Sequence, residues 1–417
     1  MVMPEGFEQR LDLLAAEAGF DLAGMAPVPP PETEAAAEEA ERFRSWVESG
    51  CAGEMEYLKR RDEAGRLLRS SPRIVFPWVR SVVVCAANYN SPSPHSVDPA
   101  PEDAGWIARY AWTGRQEAGS RQEAESRREA GSEELCATDY HTVLLQRLRR
   151  LEQAMQQWLG PFVSRCYVDT GPVVERRHAR DAGIGWIGKN TCILNQKMGS
   201  WLFLGVILAG LEVEPERLLP AADRCGSCTR CIDACPTGAL VAPYRMDASL
   251  CISYLTIEKR GAIPEELRRP MGRQVFGCDI CQDVCPWNRR APVSGDSELA
   301  ARGELVNPAL EWLAGLDSAG FRRLFRNSPV QRAKLSGLRR NVAIAMGNSM
   351  DVGHLTRLRE WAAGADAVLA EAAQWAIARL SEGKSQDKIQ GQSIQGQGGG
   401  GHADAGQAGC DRSVNRP

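Results

Sequence analysis

Eight cysteines between positions 225 and 285 are the residues whose type and spacing most clearly could do chemistry. The first run is spaced C-x2-C-x2-C-x3-C-P, the second run is C-x2-C-x3-C-P, and one cysteine lies between them. Thiolates are soft metal ligands, and this spacing wraps a loop around an iron–sulfur cube while the cysteine before each proline ligates the other cube. The pattern therefore predicts two [4Fe–4S] clusters.

The two Cys-Pro steps predict a crossed assignment, in which each run lends its last cysteine to the other cluster. The expected ligands of cluster one are Cys225, Cys228, Cys231 and Cys285, and those of cluster two are Cys235, Cys251, Cys278 and Cys281. Cys251 completes the second set because the second run supplies only two ligands to its own cluster. Zinc on paired C-x2-C motifs is the alternative, but zinc takes four ligands and has no use for the third cysteine or the Cys-Pro steps.

Asp169 is the candidate acid of the sequence, at the end of an apolar run and before Thr-Gly-Pro. A carboxylate at a strand end that faces a cleft can have a raised pKa and can act as a proton donor. An aspartate that only caps a turn is an equally good interpretation.

Three glycines at 183, 185 and 188 spell G-x-G-x-x-G, the pattern of a dinucleotide site. Such a site needs a strand directly before the glycines, whereas the preceding segment has a helical pattern. Asn190 also stands where a phosphate-binding P-loop needs Ser or Thr for Mg²⁺. We therefore interpret the glycines as a loop that allows the backbone to approach a flat or bulky ligand.

Composition limits the class of protein. The 417 residues are 43% hydrophobic, which allows two or three domains, and the net charge of −3 excludes a globally basic, histone-like protein. The N-terminus lacks the pattern of a secretory signal, and the longest apolar run, 201–211, is about half the length of a spanning helix. A dense cysteine block without an export signal indicates metal ligation in a reducing compartment, so we expect a cytoplasmic protein outside the membrane.

The elements that must position these residues fall into an order along the chain. Apolar runs at 20–28, 81–89, 164–170 and 200–208 alternate with helical segments and predict an α/β domain over 1–212. Within it, the repetitive stretch 115–137 has almost no large apolar residues, which predicts a disordered insertion.

The rest of the chain is expected to form two more units and a tail. A two-cluster, bacterial-type ferredoxin module spans 213–292, short helices over 293–382 suggest HEAT-like repeats, and the polar 383–417 is expected to be a disordered tail. The helical part carries basic residues that could neutralise phosphates without reading bases, although a solvated helix face is the alternative. These residues are Arg322, Arg323, Arg326, Arg332, Lys334, Arg339 and Arg340.

The order of motifs resembles that of the epoxyqueuosine reductase family over about residues 5–382, apart from 115–137. The motifs are DYH at 139–141, VDTGPVVER at 168–176, GIGWIGKNT at 183–191, the two cysteine runs, and SPVQRAKLSGLRRN at 328–341. The resemblance implies a cobalamin-dependent enzyme, with cobalamin in the α/β domain. Its substrate would be a tRNA with a GUN anticodon, in which it reduces the epoxide of epoxyqueuosine at the wobble position.

The resemblance also implies roles for particular residues. Asp169 matches the proton donor, and contacts to cobalamin are expected from Arg66, Ala108, Asp169, Ile193 and Leu204, in part through the backbone. His141 is not expected to be an axial cobalt ligand, because Leu144 replaces the glycine of the corrinoid motif D-x-H-x-x-G. A monomer is expected, with reduced flavodoxin or ferredoxin as the electron donor.

Two other classes of function stay open from the sequence. One is a corrinoid and iron–sulfur reductase acting on a small molecule, as reductive dehalogenases do, although these usually carry an export signal and need no basic helical domain. The other is an electron-transfer ferredoxin subunit, which would need neither the α/β domain nor Asp169.

Overall fold

The structure is a computed structural model that describes residue 4 and residues 6–114, 139–213 and 220–395, with side chains to residue 382. The predicted insertion at 115–137 lies outside the described residues, as does 396–417 of the predicted tail. Among the described residues, no helix combines the length and the apolar composition needed to cross a membrane.

A four-stranded sheet organises the N-terminal half. Its strands are β1 (Leu22–Pro27), β2 (Ser81–Asn88), β4 (Ser164–Tyr167) and β7 (Leu202–Ala209), in the spatial order β1-β2-β7-β4. All three pairings are antiparallel, with Leu22 opposite Ala86 at the first pairing. Each strand lies within or next to a predicted apolar run, so the strands were predictable while their directions were not.

The sheet is buried on both faces, which explains why its central strands are continuous apolar runs. Every residue of β2 is buried, and its alternate residues enter different cores, Val83 and Cys85 on one face, Val82 and Val84 on the other. Helices Phe7–Ala18 and Tyr140–Leu159 cover the first face. The short helix Glu175–Asp181 covers the second.

Two short strand pairs connect this half to the cysteine-rich segment. Strand β3 (Trp106–Ile107) runs parallel to β8 (Gln274–Phe276), and β5 (Trp186–Ile187) forms a hairpin with β6 (Ile193–Leu194). The residues of β3 and β8 belong to one large core that also includes the C-terminal helices. The predicted boundary at 292 therefore separates segments that pack around a common core.

Helices make up the remaining elements. Long helix Lys334–Ser349 packs against Ala367–Gln395, where a Cβ on Gly347 would lie 2.8 Å from Ala376 Cα, so this crossing needs a glycine. The other helices are Glu34–Glu48, Glu56–Lys59, Pro72–Val75, Arg230–Asp233, Ile252–Ile257, Glu265–Arg268, Ile280–Asp283, Leu310–Ala314, Ser318–Leu324 and Leu355–Ala362.

The last helix, Ala367–Gln395, runs into the segment 383–417 that the sequence predicts to be a tail.

Candidate active site

The eight cysteines between positions 225 and 285 divide into two groups by their mutual interactions. In the first group, burial together with the neighbouring Cys225 and Cys231 thiols raises the pKa of Cys285 to about 11. Burial likewise raises the pKa of Cys231, and Cys225 and Cys228 contribute to that shift.

The second group forms around Cys278. Burial raises the pKa of this thiol, and Cys251 and Cys235 contribute to the shift. The pKa of Cys281 is raised by its contact with Cys192 and by burial, with further contributions from Cys278 and Cys251. The two groups contain the same cysteines as the crossed assignment, which this grouping supports.

A ninth cysteine lies beside the second group. Cys192 hydrogen-bonds with Cys281, which lowers the pKa of Cys192. Cys192 was not predicted to lie at the site, because it belongs to neither cysteine run. Its position directly after the GKNT segment is the one feature of the sequence that could have indicated this.

The glycine-rich loop before Cys192 approaches its own hairpin, which accounts for two of its glycines without a ligand. A Cβ on Gly185 would lie 2.2 Å from the carbonyl oxygen of Leu194, and one on Gly188 would lie 2.4 Å from its Cδ1. Lys189, which imitates the lysine of a P-loop, donates to the carbonyl oxygens of Gly226 (2.6 Å) and Cys228 (3.0 Å). The loop thus braces the first cysteine run.

Residues 106–110 connect the second cysteine group to the interior of the first half. Asp279, next to Cys278, accepts hydrogen bonds from the backbone N–H of Arg109 (2.6 Å) and from Trp106 Nε1 (3.2 Å). Ala108 donates its N–H to the carbonyl oxygen of Phe276 (2.7 Å). The residue after Phe276 is Gly277, which has φ 69°. A side chain at this position would collide with the Cβ of Ala108. The segment therefore has a fixed position against the cysteine loop.

Asp169 leaves the sheet just after β4 in a left-handed backbone conformation, with φ 57°. Such a conformation is uncommon outside glycine, and strained backbone is often found at functional sites. The Asp169 side chain is 63% exposed, so its carboxylate projects into solvent-accessible space. Its Oδ2 lies 3.7 Å from His141 Nε2.

Asp169 does not have the raised pKa that the first of its two interpretations allowed. The nearby His141 lowers the pKa of this carboxyl, and Arg332 and Arg69 lower it further. These cations come from distant parts of the chain, which is why the local sequence did not reveal them. At neutral pH the structure holds Asp169 as a carboxylate.

His141 carries the matching positive charge. Burial lowers its pKa, but the hydrogen bond with Asp139 and the nearby carboxylate of Asp169 outweigh this effect and raise the pKa to about 9. Its Nδ1 lies 3.0 Å from Asp139 Oδ2, and Asp139 caps the helix at whose first turn His141 lies. Both imidazole nitrogens thus face carboxylates.

Two arginines form the rim beside Asp169. The guanidinium carbons of Arg69 and Arg332 each lie 5.2 Å from the centre of the Tyr57 ring, within the range of cation–π attraction. Arg332 also pairs with Glu258 at 2.6 Å. The C-terminal helical part therefore reaches the candidate acid through Arg332.

Glu175 is a further acidic residue at this place that the sequence analysis did not single out. Burial and the neighbouring Asp169 raise its pKa to about 7. Its Oε1 is buried and has no hydrogen-bond partner in the described part of the chain. An acceptor left in this state fits a ligand that carries amide donors, and cobalamin is such a ligand.

The predicted cobalamin contacts are found in different settings. Ile193 is buried in the core on the second face of the sheet, and Leu204 packs against the same core. Ala108 is buried against the cysteine loop, while Asp169 is exposed. Arg66 is half-exposed and pairs with Asp62 at 2.8 Å.

Two residues of the predicted basic cluster are not exposed on the surface. Arg340 is 1% exposed and donates to the carbonyl oxygens of Lys259, Gly261 and Leu255, so it cannot meet a phosphate. Arg339 is half-buried and donates to Leu316. The exposed members are Arg322, Arg323, Arg326, Arg332 and Lys334.

Comparison with known proteins adds to this geometry. The family profile described as "4Fe-4S double cluster binding domain" matches residues 224–288, and the one described as "Epoxyqueuosine reductase QueG, DUF1730" matches residues 69–170. An epoxyqueuosine reductase of Xanthomonas campestris pv. campestris is 36% identical over 381 residues, which are 90% of this chain and 97% of that protein. One of Pseudomonas aeruginosa is 36% identical over 91% of this chain and 96% of its own length.

A solved structure has a similar fold over nearly the same extent. It is an epoxyqueuosine reductase with an epoxyqueuosine-modified tRNA-Tyr stem loop, and it matches with a TM-score of 0.73 and 27% identity. The match covers 89% of this chain and 90% of that chain.

Proposed function

We propose that this chain, which belongs to the epoxyqueuosine reductase family, reduces the epoxide of epoxyqueuosine at the wobble position of tRNA to give queuosine. The observation that carries the proposal is the position of Asp169, between the cysteine-linked segment and the basic helices. Burial raises the pKa of Tyr110, and the charges of both Asp169 and Asp279 add to that shift, so this ring is near both the candidate acid and the cluster loop.

The reaction needs two electrons and two protons. Both carbon–oxygen bonds of the epoxide break, a carbon–carbon double bond forms, and the oxygen leaves as water. The chain holds two [4Fe–4S] clusters, which pass electrons singly from an external donor such as reduced flavodoxin or ferredoxin. We assign cluster one to Cys225, Cys228, Cys231 and Cys285, and cluster two to Cys235, Cys251, Cys278 and Cys281.

Cobalamin would lie between the clusters and the substrate, held by Arg66, Ala108, Asp169, Ile193 and Leu204, with Glu175 Oε1 free to accept an amide hydrogen bond. When bound, it would supply a strongly reducing and nucleophilic metal centre that accumulates the two electrons. The chain's own residues orient the substrate and move protons. Asp169 is the group we assign to protonate the departing oxygen.

The exposed arginines support an RNA substrate. Arg332 joins the surface of the C-terminal helices to Asp169, so an RNA backbone held on that surface would present a flipped or looped base to the acid. We assign residues 293–382 to RNA binding. We also propose that the protein acts in the cytoplasm and as a monomer.

Anaerobic assay of the reconstituted enzyme tests the function. Purified protein with iron, sulfide, cobalamin and a reductant should convert epoxyqueuosine in tRNA to queuosine, measured by mass spectrometry of the digested nucleosides. Omission of cobalamin should abolish the conversion. Full conversion without any corrinoid, or none with all components present, would overturn the proposal.

A further inference from the structure

We propose that His141 is the proton reservoir of the site, which reloads Asp169 during each turnover, and that Asp139 holds His141 in position for this transfer. The inference rests on the proposed function, because it supplies protons to the same reaction. His141 acts through Asp169 and not on the substrate, so its role is that of a positioning and relay residue.

The need for a reservoir follows from the charge of Asp169. A carboxylate that stays ionised at neutral pH has no proton to give, and the two nearby arginines favour this ionised form. Each turnover consumes two protons, whereas one aspartic acid can hold only one. A second group in contact with Asp169 can hold the further proton and deliver it in step with the electrons.

The geometry of His141 meets this need. Its Nε2 faces Asp169 Oδ2 at 3.7 Å, and its Nδ1 faces Asp139 Oδ2 at 3.0 Å. The first distance exceeds a normal hydrogen bond, so the proposed transfer requires the exposed Asp169 side chain to approach His141 by a few tenths of an ångström. The imidazole side chain is 29% exposed and can regain a proton from solvent.

Neighbouring residues fix the imidazole. The Tyr140 ring stacks on His141 with ring centroids 4.0 Å apart. Phe203 also stacks on the Tyr140 ring, with centroids 4.1 Å apart. Asp139 is fixed in turn because its Oδ1 accepts from the backbone N–H of His141 at the first turn of the helix. A carboxylate–imidazole–carboxylate chain of this kind sets the tautomer and the direction of transfer.

The proton steps balance as follows. The Nε2–H bond of His141 breaks and an O–H bond forms on Asp169. That O–H bond then breaks as the departing epoxide oxygen is protonated, and neutral His141 regains a proton from the buffered solvent. A second passage through the same steps supplies the second proton of the water that leaves. The electrons come from the clusters, so the relay itself involves no oxidation or reduction.

Other charged groups set the pH range of the relay. On the helix of His141 these are Asp139 and Tyr140, and the facing elements contribute Arg69, Glu175, Tyr57, Tyr110, Glu258 and Arg332. The carboxylates favour the imidazolium, and its pKa of about 9 keeps it protonated at neutral pH. Turnover should therefore be constant through neutral pH and should fall as pH rises through about 9.

The test uses pre-reduced holoenzyme and tRNA that carries epoxyqueuosine. His141→Gln keeps the polarity of the side chain but cannot titrate, so kcat should fall by roughly 10–100-fold while KM for the RNA stays within about twofold. The fall in rate near pH 9 should disappear, and millimolar imidazole should restore turnover in His141→Ala. Asp139→Asn should move the fall in rate to lower pH, because the imidazolium loses a neighbouring negative charge.

A second histidine provides a matched control. His354 is buried between Glu311 (3.0 Å) and Asp351 (3.9 Å) in the C-terminal helices, and His354→Gln should leave kcat and its pH profile unchanged. Wild-type kcat and pH profile in His141→Gln would overturn the relay, as would a reduced kcat that keeps the fall near pH 9 and is not rescued by imidazole. If the wild-type enzyme itself forms no queuosine, the proposed function fails, which is a distinct result.

Discussion

Asp169 shows how a residue's chemistry is set by partners that are far away in the chain. Its carboxylate is held ionised by His141, Arg332 and Arg69, although its exposed position suits a proton donor. Asp169→Asn keeps the size of the side chain and removes the proton-carrying oxygen. We expect kcat to fall by about 10²–10⁴-fold. Single-turnover formation of queuosine measures this.

The control for Asp169→Asn is RNA binding. The variant should bind the tRNA stem loop at least as tightly as the wild type, because a negative charge near the RNA is removed. Retention of more than half of the wild-type kcat would exclude Asp169 as the proton donor.

Glu175 has a pKa raised from 4.5 to about 7 by burial and by Asp169, which makes a prediction about stability. A carboxyl whose pKa is raised in the folded state favours the protonated form, so its contribution becomes unfavourable as pH rises from about 4.5 through about 7. Glu175→Gln mimics the protonated form. The variant should match the wild type near pH 4.5 and be more stable at pH 8, by an amount on the order of 1–3 kcal/mol.

Thermal unfolding of the cluster-free protein over this pH range checks the Glu175 prediction. Glu56→Gln is the control, because Glu56 is 77% exposed in its pair with Lys59 and its replacement should change the free energy of unfolding little. A difference between Glu175→Gln and wild type that stays constant from pH 4.5 to pH 8 would contradict it.

At the scale of elements, local patterns predicted what depends on neighbours in the sequence. The strands followed from apolar runs, because burial on both faces leaves no polar alternation, and the cysteine groups followed from ligand spacing. Contacts between distant segments could not be predicted. Examples are the antiparallel order of the sheet, the contact of Cys192 with Cys281, and the burial of Arg340 beneath residues 255–261.

The contact between Ala108 and the cysteine loop leaves room only for a glycine at position 277. Gly277 has φ 69°, and a Cβ there would lie 2.5 Å from Ala108 Cβ. Gly277→Ala should therefore destabilise the protein by about 2–4 kcal/mol and reduce the iron bound by cluster two. Chemical denaturation and iron analysis measure the two effects.

Gly272 is the control that separates the effect of a steric clash from the effect of backbone strain. It also has a left-handed φ, 57°, but nothing lies within 4 Å of a Cβ placed there. Gly272→Ala should cost only about 1 kcal/mol, with full iron content. Equal losses of stability and iron in the two variants would show that the contact with Ala108 is unimportant.

At the scale of the whole molecule, the exposed arginines are available to bind RNA, whereas the buried arginine stabilises the fold. Net charge is −3, so attraction of RNA must come from a local surface and not from the molecule as a whole. Arg322, Arg323 and Arg326 are exposed within one stretch of the C-terminal part, whereas Arg340 is buried in hydrogen bonds to three carbonyl oxygens.

Neutralising one exposed arginine should change binding without changing stability. For Arg323→Ala, affinity for the tRNA stem loop should fall several-fold at low salt, because one fewer cation displaces counterions from the RNA. The slope of log affinity against log salt should become shallower by about 0.7–0.9 for each phosphate that the variant leaves without a cation. Titration of labelled stem loop across salt concentrations measures both effects.

Arg340 supplies the matched control, because it is an arginine of the same helical part that does not reach the surface. Arg340→Met should unfold the protein more easily, by about 3–5 kcal/mol, since it leaves buried carbonyl oxygens without donors. Among molecules that remain folded, its salt slope should equal that of the wild type, and denaturation curves separate the two effects. An unchanged salt slope in Arg323→Ala, combined with a shallower slope in Arg340→Met, would place the RNA surface elsewhere on the molecule.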